Sequence, residues 1–304
     1  MTREELNEEV QKEIEEDEKK KKWKNGIKFL VKLLVFLTIF FLCFYTYTTY
    51  VSTVKIKVRE YRITSNKIPS SFNSLKIIQF SDLHFGTTMF LEDLQKVKKL
   101  SNERKPDLVV FTGDLIHKKY MLTSEEQEKM IQELKDMTAT LGKYAILGDE
   151  DSEELSTIFN QSDFILLNND YDILYQKDNN PILLIGLSAE KNMDMEKAYR
   201  YFQEENHLEN IYTITLVHEP DDVDNILKNY PTDLFLAGHS HNGNIRIPFL
   251  KKALHKTSGA KKYDQDYYEV GQSQLFISSG LGTKRGIRLF CRPSINFYRL
   301  SNSK

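Results

Sequence analysis

Polar and apolar positions divide the chain into three stretches. Residues 2–24 are dominated by Glu and Lys, with Leu6, Val10 and Ile14 recurring at four-residue spacing and Thr2 and Glu5 placed as a capping-box pair. One apolar residue per turn is too thin a stripe to pack, so residues 1–28 read as a disordered charged tail, with a solvated helix as the alternative. From Leu33 to Val54 the pattern inverts: 22 residues carry no formal charge and are dense in Leu, Phe, Ile and Tyr. As a helix that run is roughly 33 Å long, enough to cross a bilayer core. Tyr45, Tyr47 and Tyr50 lie towards its far end and Trp23 on the near side, where interfacial aromatics belong. The expected span is 29–54, followed by one domain over 55–304.

Beyond the span, short apolar runs alternate with helical spacing. Val54 to Ile63 alternates like an amphipathic strand. Leu75–Phe80, Leu108–Phe111, Tyr144–Leu147, Ile182–Leu187, Tyr212–Val217 and Leu234–Ala237 read as buried strands. Helices are expected over Leu91–Arg104 and Ser124–Met137, with Met121, Met130 and Met137 as packing residues. Strands alternating with helices predict a layered α/β architecture.

Composition narrows the partners. A net charge of −2 gives no electrostatic case for nucleic acid. Cys43 lies in the apolar run and Cys291 far from it, so no disulfide framework is expected and Cys291 reads as a buried thiol. The run is unlike a cleaved signal: a long acidic tail precedes it, no small-x-small site follows, and Phe40, Phe41 and Leu42 before Cys43 do not suit a lipoprotein site. Seven lysines lie shortly before the uncharged run Leu33–Val54 (Lys19 to Lys22, Lys24, Lys28, Lys32) and five basic residues follow it (Lys55, Lys57, Arg59, Arg62, Lys67). That bias predicts a single-pass protein of the cell membrane with a cytoplasmic N-terminus and an extracytoplasmic domain.

Five of the buried strands run into residues of metal-ligand type. Asp82 and His84 follow the first, Gly113-Asp114 the second, Gly148-Asp149-Glu150-Asp151 the third, His218-Glu219 the fourth, and Gly238-His239-Ser240-His241 the fifth. Sites in α/β sheets form beyond the carboxyl ends of strands, and carboxylates with imidazoles suit a divalent cation. His207 and His255 have no such context and read as surface residues. Arg246, Lys284 and Arg285 lie near the site loops as cations for an anionic group, or as ordinary solvated charges.

In this order the motifs resemble the calcineurin-like metallophosphoesterases over roughly Val54 to Leu300. The stretches Gly238-His239-Ser240-His241-Asn242-Gly243-Asn244-Ile245-Arg246-Ile247-Pro248-Phe249 and Gly280-Leu281-Gly282-Thr283 look most like the membrane-associated bacterial branch. The resemblance implies a four-layer α/β/β/α sandwich and two divalent ions (Mn, Fe or Zn). Asp82, His84, Asp114 and His241 would hold one ion; Asp114, Asp149, His218 and His239 would hold the other. A hydroxide bridging them would attack a phosphomonoester, phosphodiester or diphosphate. A lipid-linked substrate would explain a tether. The family pattern has Asn and then His where this chain has Asp149 and Glu150. Three carboxylates and a hydroxide then cancel two divalent ions, which implies weaker attraction for phosphate or a trivalent ion. Glu150, its pKa raised by flanking Asp149 and Asp151, would be the catalytic acid, with His117 as the substitute donor; a good leaving group would need neither. The alternative from another class is a degenerate metal- or phosphate-binding sensor whose tail meets a cytoplasmic partner.

Overall fold

The computed structural model describes residues 2–177, 180–189, 193–201, 211–247, 256–284 and 286–303. His207, His255, Arg285 and the Glu5 side chain lie outside the described residues. The chain separates into two compact units, Met1–Thr48 and Thr49–Lys304.

The first unit is one helix, α1 (Arg3–Thr46), continuous from the charged stretch into the apolar one. Residue 28 is therefore no element boundary, and the disordered tail gives way to the solvated-helix alternative. Glu and Lys are strong helix formers, and Lys20–Glu16 (3.4 Å) and Lys22–Glu18 (4.0 Å) pair one turn apart. In the apolar half, Phe36, Phe41 and Leu42 are exposed. Thr38 and Thr46 donate to the carbonyls of Leu34 (2.9 Å) and Leu42 (2.8 Å), so their hydroxyls need no partner outside the helix. Among the described residues it is the one helix long and apolar enough to cross a membrane.

The second unit contains two six-stranded sheets. The first comprises β1 (Lys57–Ser65), β2 (Lys76–Phe80), β3 (Leu108–Thr112), β4 (Gly142–Ile146), β5 (Ile165–Leu166) and β12 (Ser294–Asn302), in the order β1-β12-β2-β3-β4-β5. The second comprises β6 (Asp170–Leu174), β7 (Ile182–Gly186), β8 (Tyr212–Val217), β9 (Leu234–Ala237), β10 (Tyr267–Val270) and β11 (Ser273–Ile277), in the order β10-β11-β9-β8-β7-β6. β2, β3, β4 and β5 run parallel, as do β7, β8, β9 and β11, so within each sheet the carboxyl ends of these strands share one edge.

Helices α2 (Leu91–Asn102), α3 (Ser124–Lys135) and α4 (Ser156–Gln161) follow strands of the first sheet; α5 (Met195–Ala198) and α6 (Val223–Ile226) belong with the second. Strand alternation sorts the core into three clusters. Ile77, Val110 and Ile146 of the first sheet meet Leu184, Ile214 and Leu236 of the second. The opposite faces pack on Leu94, Met130 and Phe159 in one cluster and on Ala198, Val223 and Ile226 in the other. This is the expected α/β/β/α sandwich. Each such side chain contributes roughly 1.5–3 kcal/mol by leaving water. Met130 and Met137 are buried as expected, but Met121 is 90% exposed and packs nothing.

Candidate metal centre

All five strand ends deliver their polar residues to one place. Asp82 N–H donates to Gly113 O (2.8 Å) and His84 N–H to Asp114 O (3.1 Å), which locks the loop after β2 to the loop after β3. The Gln79 amide donates to Ala237 O (2.9 Å), and His218 Nδ1 lies 2.7 Å from Thr112 O, so the two sheets join at this edge. Leu281 and Gly282 N–H groups donate to Ser81 O (3.0 Å) and Asp82 O (2.7 Å), bringing the loop after β11 across as well.

Close approach dictates the glycines and the strain. A Cβ on Gly148 would stand 2.3 Å from Asp114 Oδ1, and one on Gly113 2.5 Å from His218 Nδ1. Asp82, His84, Asp114, His239 and His241 all adopt positive φ, between 42° and 63°. L-residues pay for that region, so its concentration on five candidate ligands marks a conformation imposed by the surrounding bonds.

Two donor sets result. Asp82, His84 and His241 form one, and Asp114, Asp149, His218 and His239 the other, with the ligand atoms of each set within 4.8 Å of one another. His84 Nε2 and His241 Nε2 face each other at 3.1 Å, as do His218 Nε2 and His239 Nδ1 at 3.1 Å. The second pair converges on Asp149 Oδ1, 3.0 Å from each nitrogen. Thr112 O and Ser258 O (2.5 Å from His239 Nε2) take the N–H protons of His218 and His239. Each imidazole thereby turns its other ring nitrogen inward. Asp114 joins the sets. Its buried Oδ2 has no hydrogen-bond partner and lies 3.4 Å from both His84 Nε2 and His218 Nε2. A buried carboxylate oxygen with no hydrogen bond, set between two imidazoles, suits a cation-binding role.

The charge pattern follows. Burial favours neutral His218, yet Asp114 and Asp149 raise it well above the usual range. His241 is lowered well below by burial, with His84 and Arg288 adding to the effect. Asp151 is fully enclosed and accepts the N–H groups of Asp114 (2.7 Å), Leu115 (2.8 Å) and Gly148 (2.8 Å), so it ties two site loops together. Burial and Asp114 push its carboxyl up to about 6.

A model of the calcineurin-like phosphoesterases matches residues 75–243, more than half of the chain. The chain is 33% identical to an uncharacterized metallophosphoesterase of Bacillus subtilis, YkuE, across 85% of this chain and 90% of that protein. It belongs to the calcineurin-like phosphoesterase family. Other relatives are the UDP-2,3-diacylglucosamine pyrophosphatase LpxG of Chlamydia muridarum (26% identical, 77% of this chain, 86% of the relative) and the phosphodiesterase YaeI of Escherichia coli (23%, 74%, 82%). Family membership makes the chain a metal-dependent phosphoric ester hydrolase.

Three residues stand apart from the sequence expectation. Glu150 is buried, and its contacts are all donors: His117 Nδ1 at 3.1 Å, His84 Nδ1 at 3.5 Å and Lys284 Nζ at 3.1 Å. Burial alone would raise its carboxyl, but His84 and Lys284 outweigh that and hold it at about 2. Its carboxyl thus lies below its ordinary value rather than above it as expected from its flanking carboxylates, and it faces Nδ1 of both His84 and His117. His117 stands beside the site, with Nδ1 against Glu150. Lys284, expected either to meet an anionic group or to be solvated, sits among the carboxylates, 3.4 Å from Asp114 Oδ2 and 3.5 Å from Asp149 Oδ2. Arg246 faces elsewhere, donating to Asn242 O (3.0 Å) and Asp264 O.

Arg288 escaped notice in the sequence altogether. Fully buried, it donates to the carbonyls of Ser279 (2.9 Å), Gly280 (3.1 Å) and Gly282 (2.6 Å), and so holds the loop that ends at Lys284. Its only early signal was its place just beyond Gly280-Leu281-Gly282-Thr283.

Proposed function

We propose that the chain is a membrane-anchored phosphoesterase with a dinuclear centre, acting on a phosphodiester or diphosphate that is itself lipid-linked. Asp114 Oδ2, buried, without a hydrogen bond and equidistant from His84 and His218, is the observation that carries the reading. Asp82, His84, Asp114 and His241 would hold one ion, and Asp114, Asp149, His218 and His239 the other, with Mn, Fe or Zn suited to the mixed oxygen and nitrogen donors. When bound, two such cations neutralise phosphoryl charge and make water acidic enough to ionise near neutral pH.

The chain's own residues do the orienting. Thr112 O and Ser258 O fix which nitrogens of His218 and His239 point inward, Glu150 faces Nδ1 of His84, and Asp151 holds the loops after β3 and β4 together. Glu150 is engaged as an acceptor on every side, which favours a leaving group that departs as a stabilised anion, as a diphosphate does. The support for a lipid-linked substrate is the apolar helix together with LpxG, a relative named for a diacylated sugar nucleotide. An anchor confines the site to the surface on which such a substrate resides.

The test uses the full chain in detergent micelles. Bound metal is quantified, and turnover of bis-aryl phosphate, mono-aryl phosphate and an acylated sugar nucleotide diphosphate is measured with added Mn²⁺. About two metals per chain, turnover of the diester or diphosphate, and loss of both properties in Asp114→Ala are expected. Metal-loaded protein inert towards all three substrates overturns the hydrolase reading and favours a sensor.

A further inference from the structure

Lys284 is the residue whose place neither its sequence context nor the ligand sets explain. Its loop is pinned from both sides, by Leu281 and Gly282 bonding to the Asp82 loop and by Arg288 gathering the loop carbonyls. The ammonium is thus presented by a fixed backbone, with 23% of the side chain open to solvent. Its nearest partner is Glu150 Oε1 at 3.1 Å. The contacts to Asp114 Oδ2 and Asp149 Oδ2, at 3.4 and 3.5 Å, are longer than the roughly 3 Å of a well-formed hydrogen bond. These two carboxylates also belong to the ligand set, so cations there would compete with the ammonium for them.

Charge then assigns it a task. Asp82, Asp114, Asp149 and Glu150 place four carboxylates around the centre. On the dinuclear reading above, on which this inference rests, they cancel two divalent cations and leave an anionic substrate without net attraction. Lys284 restores a positive charge at the side where solvent enters. We propose that Lys284 is a phosphoryl-binding residue: its ammonium, released from Asp114 and Asp149 as cations occupy those oxygens, holds a phosphoryl oxygen of the substrate while it stays paired with Glu150. An ammonium is a compact point charge with rotatable donors, suited to a phosphoryl oxygen beside fixed metal ions.

The test is a comparison of affinities rather than of rates. Full-length protein in micelles is titrated calorimetrically with Mn²⁺, and the Mn²⁺-loaded protein with inorganic phosphate. A charge-assisted contact of this kind predicts that Lys284→Met weakens phosphate binding about tenfold or more. Mn²⁺ binding should hold or tighten, because a competing cation has gone. Lys284→Arg should keep phosphate affinity within about threefold of wild type. In an Asp149→Asn background, with one negative charge fewer, Lys284→Met should cost less phosphate affinity than in the wild type. Unchanged phosphate affinity in Lys284→Met overturns the proposal. So does a joint fall of Mn²⁺ affinity, phosphate affinity and melting temperature, which would mark a merely structural lysine. Wild-type protein that binds Mn²⁺ and phosphate yet turns over no ester sinks the hydrolase reading and leaves the Lys284 comparison intact.

Discussion

Asp82, His84, Asp114, His239 and His241 hold backbone conformations that L-residues avoid, and each is kept there by bonds from a neighbouring loop. The function of a residue here is therefore inseparable from its supports. Arg288 is the extreme case, a buried guanidinium whose two terminal nitrogens donate to carbonyls rather than to a carboxylate, with burial lowering its pKa from the ordinary value. Replacing it by Met would leave those carbonyls enclosed and unpaired. Arg288→Met should lower the unfolding free energy by about 2–4 kcal/mol in urea titrations and loosen phosphate binding through Lys284. Seven candidate ligands were legible in the sequence because each follows directly on an apolar strand. Lys284 was legible only as one of three cations near the site loops, and Arg288 not at all. Their roles arise where the loop after β11 crosses to the loop after β2, and no local spacing encodes a crossing. Glu150 was legible as a departure but not as to its role, since its partners Lys284 and His84 lie 134 and 66 positions away in the chain.

At the scale of elements, uniformly apolar runs betrayed the central strands, and β8 and β9 lie where the pattern put them. The edge and mixed strands β5, β6, β10, β11 and β12 were missed because polar residues such as Gln274, Asn296 and Arg299 interrupt them. Those interruptions have structural partners: Asn296 and Tyr298 meet Gln79 in a buried polar chain between β12 and β2. Helix α3 starts with a capping box, Thr123 exchanging bonds with Glu126, and ends against Lys143 of β4. Lys143 Nζ donates to Leu134 O (3.1 Å), Lys135 O (2.9 Å) and Ser162 O (2.8 Å), so one buried amine closes α3 and the turn after α4. Lys143→Met keeps the apolar stem but strands three carbonyls. A loss of about 2–3 kcal/mol in chemical denaturation is expected, with phosphate affinity unchanged in protein that remains folded. An equal loss in Lys143→Arg would show that geometry, beyond charge, is required.

At the scale of the molecule, we propose from the lysine excess before the apolar run that the N-terminus is cytoplasmic and the phosphoesterase domain lies outside. Met121 offers a probe, being 90% exposed in that domain. With Cys43 replaced by Ser and Cys291 buried, Met121→Cys should react with a membrane-impermeant maleimide in intact cells. Reaction only after lysis would reverse the orientation.

The pairing of β12 bears on how such a domain comes to exist. β1 lies parallel to β12 over nine residue pairs, and β12 separates β1 from β2. The earliest strand of the domain thus has nothing to pair with until the latest one arrives. Whether the polypeptide emerges from a ribosome or from a membrane pore, this sheet stays open until Ser294–Asn302 is available. Closure of the sheet is timed by that strand, so a chain cut short before Ser294 would leave β1 and β2 with open edges, a substrate for proteases or a seed for aggregation.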